Sequence, residues 1–231
     1  MKTVIVFDNY SLVPCGQSGW GYACYFPERR FLFDSGSDPK TLLHNLRCLK
    51  FFPHEIKTVM LSHFHWDHIG GLFRLLENGP VKVFLHRGFS PRFASEARRL
   101  GAEVEFVDKI TEILPGIYST GPLPGKTQEA SLVVKGRKGL SLITGCAHPG
   151  ICEIVQFVQV HFEHPPRLIM GGLHLGSLSR KKIRLLAEKL RDLGVLFVAP
   201  SHCTGDKGME IFAETFGEGF IRAGVGLALD L

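Results

Sequence analysis

The stretch Ser62-His63-Phe64-His65-Trp66-Asp67-His68 decides how this chain is read. It follows Thr58-Val59-Met60-Leu61, a β-branched and apolar run that predicts a strand. It precedes Ile69, Leu72, Phe73 and Leu76, an apolar stripe at helical spacing. His63 and His65 alternate, so they point to one side as the strand ends. Asp67 and His68 fall on the turn into the helix. Imidazole and carboxylate are the groups that Zn²⁺, Mn²⁺ or Fe²⁺ accept. A single histidine on an apolar face is ordinarily a satisfied core residue. Four ligand-type residues crowded into one strand-to-helix turn predict a metal site.

Further donors are expected at other strand ends. Gly145-Cys146-Ala147-His148-Pro149-Gly150 follows the run Leu140–Thr144, Gly171-Gly172-Leu173-His174 follows Leu168–Met170, and Ser201-His202-Cys203-Thr204-Gly205 follows Val195–Ala199. Each is a β-run, then small residues, then a histidine. Strand carboxyl ends gather into one functional edge in layered α/β architectures. His148 and His202 are therefore read as ligands. His174 is either a ligand or a histidine that meets the substrate. His86 ends the run Val81–Leu85 and is a candidate for the pocket wall. His44, His54, His161 and His164 lie in helical or loop contexts and read as surface residues.

The rest of the chain reads as one domain over 1–231. The 231 residues are 45% hydrophobic and 21% charged, which excludes a disordered or fibrous chain. Further strands are predicted over Thr3–Phe7, Tyr22–Phe26, Arg30–Asp34, Val104–Val107 and Ser131–Val134. Helices are predicted after Asp38-Pro39, after Ser90-Pro91 up to Gly101, over Ile151–Val160, after Ser179, and over Lys207–Phe216. Strands cluster twice, each cluster followed by helix–strand units, and two sheets with helices outside fit that order. No apolar run approaches the ~18 residues of a membrane span. The N-terminal run Met1–Phe7 ends in Asp8 and lacks the shape of an export signal, so a cytoplasmic location is expected. All six cysteines are then expected as thiols, with Cys24, Cys48 and Cys152 as small buried hydrophobes. The net charge of +5 comes from scattered basic residues, so nucleic acid is not an expected partner.

His63-x-His65-x-Asp67-His68 resembles the signature of the metallo-β-lactamase superfamily, and Phe33-Asp34-Ser35-Gly36 resembles that superfamily's strand-end Asp-x-Gly. The resemblance runs from about Trp20 to Leu231. It implies an αββα sandwich: two mixed β-sheets with helices on the outer faces. It also implies two divalent metal ions, zinc first, with manganese or iron as alternatives. Asp34 would lie beneath the site and fix the tautomer of a ligand imidazole. His63, His65 and His148 would hold one ion, and Asp67, His68 and His202 the other. The ions would activate a shared water, with Asp67 orienting it or moving its proton and His174 as a second catalytic candidate.

The motifs Leu142–Ile151, Gly171–Leu175 and Pro200–Gly205 resemble, more narrowly, the subgroup of ribofuranosyl-aminobenzene 5′-phosphate synthase-like, 7,8-dihydropterin-linked metal-dependent hydrolases. Two departures from better-known branches stand out. Gln128-Glu129-Ala130-Ser131-Leu132 lacks the histidine often found there, and Cys146 replaces the metal-bridging aspartate after Thr-Gly. A thiolate suits zinc or iron, so Cys146 is a candidate ligand. The expected function is a metal-dependent hydrolase using metal-activated water on a small anionic substrate, such as a phosphoester or another ester or amide. The alternatives are a transferase joining a dihydropterin diphosphate to a ribofuranosyl-aminobenzene phosphate, or a non-hydrolytic iron redox or sensor protein. Arg180 and Lys181, at a helix start, are the candidate anion-binding residues. Lys207 and Arg87 are weaker candidates. Trp20, Trp66, Tyr22, Tyr25 and Phe64 could stack on a flat ring. Homo-oligomerisation is left open.

Overall fold

The computed structural model describes residues 1–231 and contains two compact units, Met1–Lys109 with Gly224–Asp230, and Ile110–Ala223 with Leu231. Each unit has its own mixed sheet, and helices accompany both sheets. This is the expected pairing of two mixed sheets with helices.

The first unit holds β1 (Lys2–Phe7), β2 (Ala23–Phe26), β3 (Phe31–Phe33), β4 (Thr58–Met60), β5 (Lys82–Leu85) and β6 (Glu103–Phe106). The chain's last strand, Ala228–Asp230, pairs antiparallel with β1 at one edge. β1, β2 and β3 are antiparallel neighbours, whereas β3, β4, β5 and β6 run parallel. Parallel pairing needs crossovers, and α1 (Pro39–Cys48), α2 (Trp66–Ile69) with α3 (Leu72–Leu76), and α4 (Pro91–Arg99) supply them. Asp38 caps α1 by accepting from the Thr41 amide at 2.7 Å, with Pro39 at the first helical position. Leu42 and Leu46 of α1, Leu72 and Leu75 of α3, and Ala94 and Ala97 of α4 pack on Leu32, Val59 and Val83 of the sheet. A fully buried leucine or valine contributes ~1.5–3 kcal/mol, so this layer dominates the unit's stability. Phe31 and Phe33, on the opposite face from Leu32, are buried as completely. Apolar residues on both faces explain why these strands read as continuous runs rather than alternations.

The second unit holds β7 (Thr111–Leu114), β8 (Ile117–Leu123), β9 (Glu129–Gly136), β10 (Gly139–Thr144), β11 (Leu168–Gly172) and β12 (Phe197–Ser201). β7 through β10 form an antiparallel meander, and β10, β11 and β12 are parallel. The crossovers are α5 (Ile151–Phe162) and α6 (Arg180–Asp192), and α7 (Gly205–Phe216) follows β12. Val133, Leu142, Ile169 and Val198 face a helix layer that includes Ile154, Val158, Ile183, Leu190, Ile211 and Phe212.

Three strands escape the sequence patterns. β7 and β8 carry Gly116, Gly121 and Pro122 in or beside them, and the β8–β9 register shifts between Ser119 and Pro122. Such punctuation hides a bulged strand. The chain's last strand is a three-residue edge with no run to read. The helix expected after His68 is two short pieces, α2 and α3, interrupted at Gly70-Gly71.

One cysteine expectation is overturned. Cys15 and Cys48 are joined by a disulfide, with Cα atoms 5.8 Å apart. Neither is a thiol, and Cys48 is not a buried hydrophobe. The 33-residue separation conceals the pair in the sequence, where no short spacing marks it. Cys24 and Cys152 are buried as expected. Burial pushes the Cys24 thiol up to about 12, so it stays protonated and inert.

Candidate metal centre

Both sheets deliver their chemistry in the same way. In the first unit, β3, β4 and β5 are parallel and in register, with Phe33 beside Met60 and Met60 beside Phe84. Their carboxyl ends therefore release Asp34, Ser62–His68 and His86 along one edge. In the second unit, Thr144 of β10, Gly171 of β11 and Pro200 of β12 are neighbours. Beyond them come Cys146–His148, His174 and His202–Cys203 along one edge.

Asp34 is fully buried at the end of β3, with φ of 57°. Its carboxylate accepts from the Ser62 amide at 2.7 Å, the Ser62 hydroxyl at 2.8 Å and His68 Nδ1 at 2.7 Å. A carboxylate can only accept, so His68 must carry its proton on Nδ1, and Nε2 is the nitrogen left for a ligand. Asp34 thereby fixes the orientation of the His68 ring. His63 Nδ1 lies 2.8 Å from the Ser62 hydroxyl, and its Nε2 lies 3.0 Å from His65 Nδ1. Two nitrogens at that spacing can both reach one ion at bonds of about 2.0–2.1 Å. Asp67 Oδ2 is 3.8 Å from His68 Nε2. His63, His65, Asp67 and His68 are thus brought together, as their spacing predicts. Backbone contacts hold the segment: the Ser35 amide donates to the His68 carbonyl at 2.8 Å, and the Gly70 amide to the Gly36 carbonyl at 2.8 Å. A Cβ at Gly70 would lie 2.1 Å from the Ser37 carbonyl oxygen, so only glycine permits this approach.

His86 is buried, and its Nε2 meets the Ser62 carbonyl oxygen at 3.1 Å while its Nδ1 accepts from the Gly88 amide at 3.0 Å. It braces the start of the Ser62–His68 segment. Tyr22 and Tyr25 are buried, whereas Trp20, Phe64 and Trp66 are exposed. Only the latter three are available for stacking.

In the second unit the organising residue is Glu129, the first residue of β9, which is fully buried. Its Oε1 accepts from the amides of Cys146 at 2.8 Å and Ala147 at 2.9 Å. Its Oε2 accepts from the His148 amide at 2.9 Å and His148 Nδ1 at 2.7 Å. The His148 proton is thereby fixed on Nδ1, again leaving Nε2 for a ligand. The His148 and His174 rings are 4.6 Å apart. Cys146 Sγ and Cys203 Sγ are 3.2 Å apart, and the His174 amide donates to Cys203 Sγ at 3.3 Å. Burial pushes the Cys203 thiol up, but hydrogen bonds from Cys146 and His174 and the charge of His202 outweigh it. The thiol is held well below its usual range. Donor atoms of Cys146, His174 and Cys203 all lie within 4.8 Å of one another.

Four of the non-glycine residues with left-handed φ belong to these segments: Asp34, Ala147, His174 and His202. Each such conformation costs energy that the surrounding bonds must hold, and such costs concentrate at functional sites.

Two residues escaped the sequence reading. Glu129 stood in a stretch remarked on only for lacking a histidine. The available signal was an acid opening the apolar strand Glu129–Val134, since a buried charge demands partners. Cys203, beside His202, supported the iron redox or sensor alternative but was not named as a donor. The anion-binding expectation changes for Arg180: its guanidinium is paired with Glu210 at 2.7 Å and with Glu214 at 4.0 Å. Lys181 stands exposed beside it.

Each of the two mixed sheets, accompanied by helices, carries a buried carboxylate that orients a strand-end imidazole, the arrangement that prepares a histidine for a metal. The profile of the Metallo-beta-lactamase superfamily matches residues 22–160, and the chain belongs to that superfamily. It is similar to a 7,8-dihydropterin-6-methyl-4-(beta-D-ribofuranosyl)-aminobenzene-5′-phosphate synthase of Methanocaldococcus jannaschii, at 27% identity over 86% of this chain and 83% of that protein. A second, uncharacterised protein of that organism is 26% identical over 84% of this chain and 86% of its own length. Among solved structures it is similar to Tm1679, described as a metal-dependent hydrolase of the beta-lactamase superfamily. The TM-score is 0.86 and the identity 28%, covering 100% of this chain and 99% of that one. The fold is shared with Zn²⁺-bound PqqB from Methylobacterium extorquens, at TM-score 0.66, 14% identity and full coverage of both chains.

Proposed function

We propose that the chain is a metal-dependent hydrolase acting on a small anionic substrate, a phosphoester or another ester or amide, and that the two units are halves of one functional domain. One observation supports this most: each unit buries a carboxylate that takes the Nδ1 proton of a strand-end histidine, Asp34 for His68 and Glu129 for His148. That pairing is how proteins prepare imidazoles for metals. On the superfamily pattern, His63, His65, Asp67 and His68 would be the metal donors of the first unit, and His148, His202 and Cys146 those of the second. The donor set of neutral imidazoles, a carboxylate and a thiol fits zinc best, and manganese or iron next. When bound, such ions supply Lewis acidity toward an ester or phosphoester oxygen.

The chain's own residues supply the rest. Asp67 would orient the attacking water or take up its proton, work that suits a carboxylate. His174 is exposed beside His148 and would serve as a metal donor or meet the substrate. Lys181 lies in the first turn of α6, where the helix end favours an anion. Trp66 and Phe64 offer apolar surface to a ring.

A second reading is favoured by the likeness to the aminobenzene-phosphate synthase: a transferase that forms a C–N bond to a dihydropterin and releases pyrophosphate. Products separate the two. Metal content per chain is measured first, by elemental mass spectrometry on untagged protein purified without added metal. A phosphoester and lactone panel and a pterin-transfer assay follow. Metal-dependent release of phosphate or acid supports hydrolysis. Pyrophosphate release that depends on an aminobenzene acceptor replaces it with transfer. No metal after reconstitution overturns both.

A further inference from the structure

We propose that Cys146, Cys203 and His174 form a thiolate-rich metal-binding set within the second unit, suited to a thiophilic ion such as zinc, ferrous iron or copper(I). The proposal rests on the metal half of the reading above and not on the reaction.

Three parallel strands deliver the three donors. Cys146 follows β10, His174 follows β11, and Cys203 follows β12. Their donor atoms lie within 4.8 Å of one another, and the two sulfurs are 3.2 Å apart. Two metal–sulfur bonds of about 2.3 Å at a tetrahedral angle span ~3.8 Å between sulfurs, so the thiols need part by only roughly half an ångström. Two sulfurs and one imidazole nitrogen make a soft set, which selects zinc, iron or copper(I) over magnesium or calcium.

The surroundings are shaped to this cluster. A Cβ at Gly172 would lie 2.6 Å from Cys203 Sγ and 2.3 Å from the Gly145 carbonyl oxygen. Glycine there is what lets the Cys203 thiol lie over the end of β11. His174 takes a left-handed backbone, φ 53°, and from it directs its amide at Cys203 Sγ. Glu129 fixes the Cys146 amide from below. A thiol that merely fills core space, as Cys152 does, needs none of these arrangements.

The test is cobalt(II) titration of reduced, metal-stripped protein under anaerobic conditions, read by absorbance. Thiolate ligation gives sulfur-to-cobalt charge-transfer bands in the near ultraviolet. The expected result is a band in the wild type, about half of it in Cys203→Ser, and none in the Cys146→Ser/Cys203→Ser double variant. The band should survive in His63→Ala/His68→Ala, which removes donors of the first unit only. Cobalt bound without the band, or a band unchanged in Cys203→Ser, overturns the proposal. So does loss of both thiols in air to a Cys146–Cys203 disulfide with no charge-transfer band under anaerobic loading. X-ray absorption of the zinc-loaded wild type needs no variant: two sulfur neighbours at about 2.3 Å support the set, and none refutes it. A protein with the band but no hydrolysis counts only against the proposed reaction. Hydrolysis without the band counts only against this set.

Discussion

Glu129 Oε2 holds both the backbone amide and the Nδ1 proton of His148, at 2.9 and 2.7 Å, while Oε1 holds the two preceding amides. One side chain thus sets the loop and the ring together. Asp34 does the same in the first unit, gripping the Ser62 amide and His68 Nδ1. Two sheets built from unrelated stretches have arrived at one device: a buried carboxylate, satisfied by amides, that leaves Nε2 of an imidazole outward. The desolvation of each carboxylate is offset by these charge-assisted bonds.

Glu129→Gln keeps the shape but turns one acceptor oxygen into a donor. Whichever way the amide lies, two of four donors lose their acceptor. Each buried loss costs about 1–3 kcal/mol, so the unfolding midpoint should fall. Zinc affinity of the folded protein should fall ~10–100-fold, because the His148 ring is no longer fixed. Chelator competition at a temperature where the variant remains folded reads this directly. A lower midpoint with unchanged affinity would show Glu129 to be a structural residue only.

Asp34→Asn isolates the same effect in the first unit. Asparagine tolerates the left-handed backbone at φ 57°, so the β3 end should keep its path. The amide can accept from only one of its two ends, so His68 or Ser62 loses its partner. Metal affinity is expected to fall ~10–100-fold with native circular dichroism retained. Asp34→Ala should cost more stability, since it also loses the left-handed tolerance.

Arg180→Ala separates ion pairing from anion binding. The guanidinium is about half exposed and pairs with Glu210 and Glu214 across α6 and α7. Exposed pairs contribute ~0–1 kcal/mol, so the midpoint should barely move. KM for an anionic substrate should also stay unchanged, whereas Lys181→Ala should raise it. A raised KM in Arg180→Ala would restore the sequence-based reading of that residue.

Gly172→Ala and Gly176→Ala are a matched pair. At 172 the new methyl would sit 2.3 Å from a backbone oxygen that cannot yield, so β10 and β11 must part at their functional ends. Overpacking of this kind costs typically 1–3 kcal/mol. At 176 nothing lies within 4 Å, and the change should be neutral or slightly stabilising through the unfolded chain. Thermal unfolding of both variants checks the contrast. Equal midpoints would mean the strand ends are not tightly set.

Much of this was legible before any coordinates, for a physical reason. His63, His65, Asp67 and His68 are local, so spacing alone places them together. The strands that carry them are buried on both faces and announce themselves as apolar runs. His148, His174 and His202 were legible through the shared pattern of strand, small residue, histidine. Glu129 was not, because its partners lie 17–19 residues away and its role exists only once β9 and β10 pair. β8 was hidden by its own Gly121-Pro122 bulge. Cys15 and Cys48 were hidden because a disulfide depends on where two loops come to lie, which no spacing reveals.

That disulfide makes the last prediction. It ties the loop around Cys15 to the end of α1, beside the contacts of the Gln17 amide and carbonyl with the Asn45 side chain. Closing a loop of 33 residues removes chain entropy from the unfolded state worth roughly 3–4 kcal/mol on the polymer estimate. Reduction should therefore lower the denaturant midpoint of the first unit by up to that amount, and Cys15→Ala/Cys48→Ala should match the reduced protein. The metal donors lie elsewhere, so metal content should be unaltered in both. The bond also bears on where the chain resides: a reducing cytoplasm would keep the pair as thiols, whereas an oxidising compartment would keep it joined. Trapping thiols by rapid alkylation in the producing cells, followed by peptide mass spectrometry, decides this. Cys15 and Cys48 protected from alkylation would place the chain where disulfides persist. Both alkylated would support the cytoplasmic expectation and leave the pair as a bond that forms only after release.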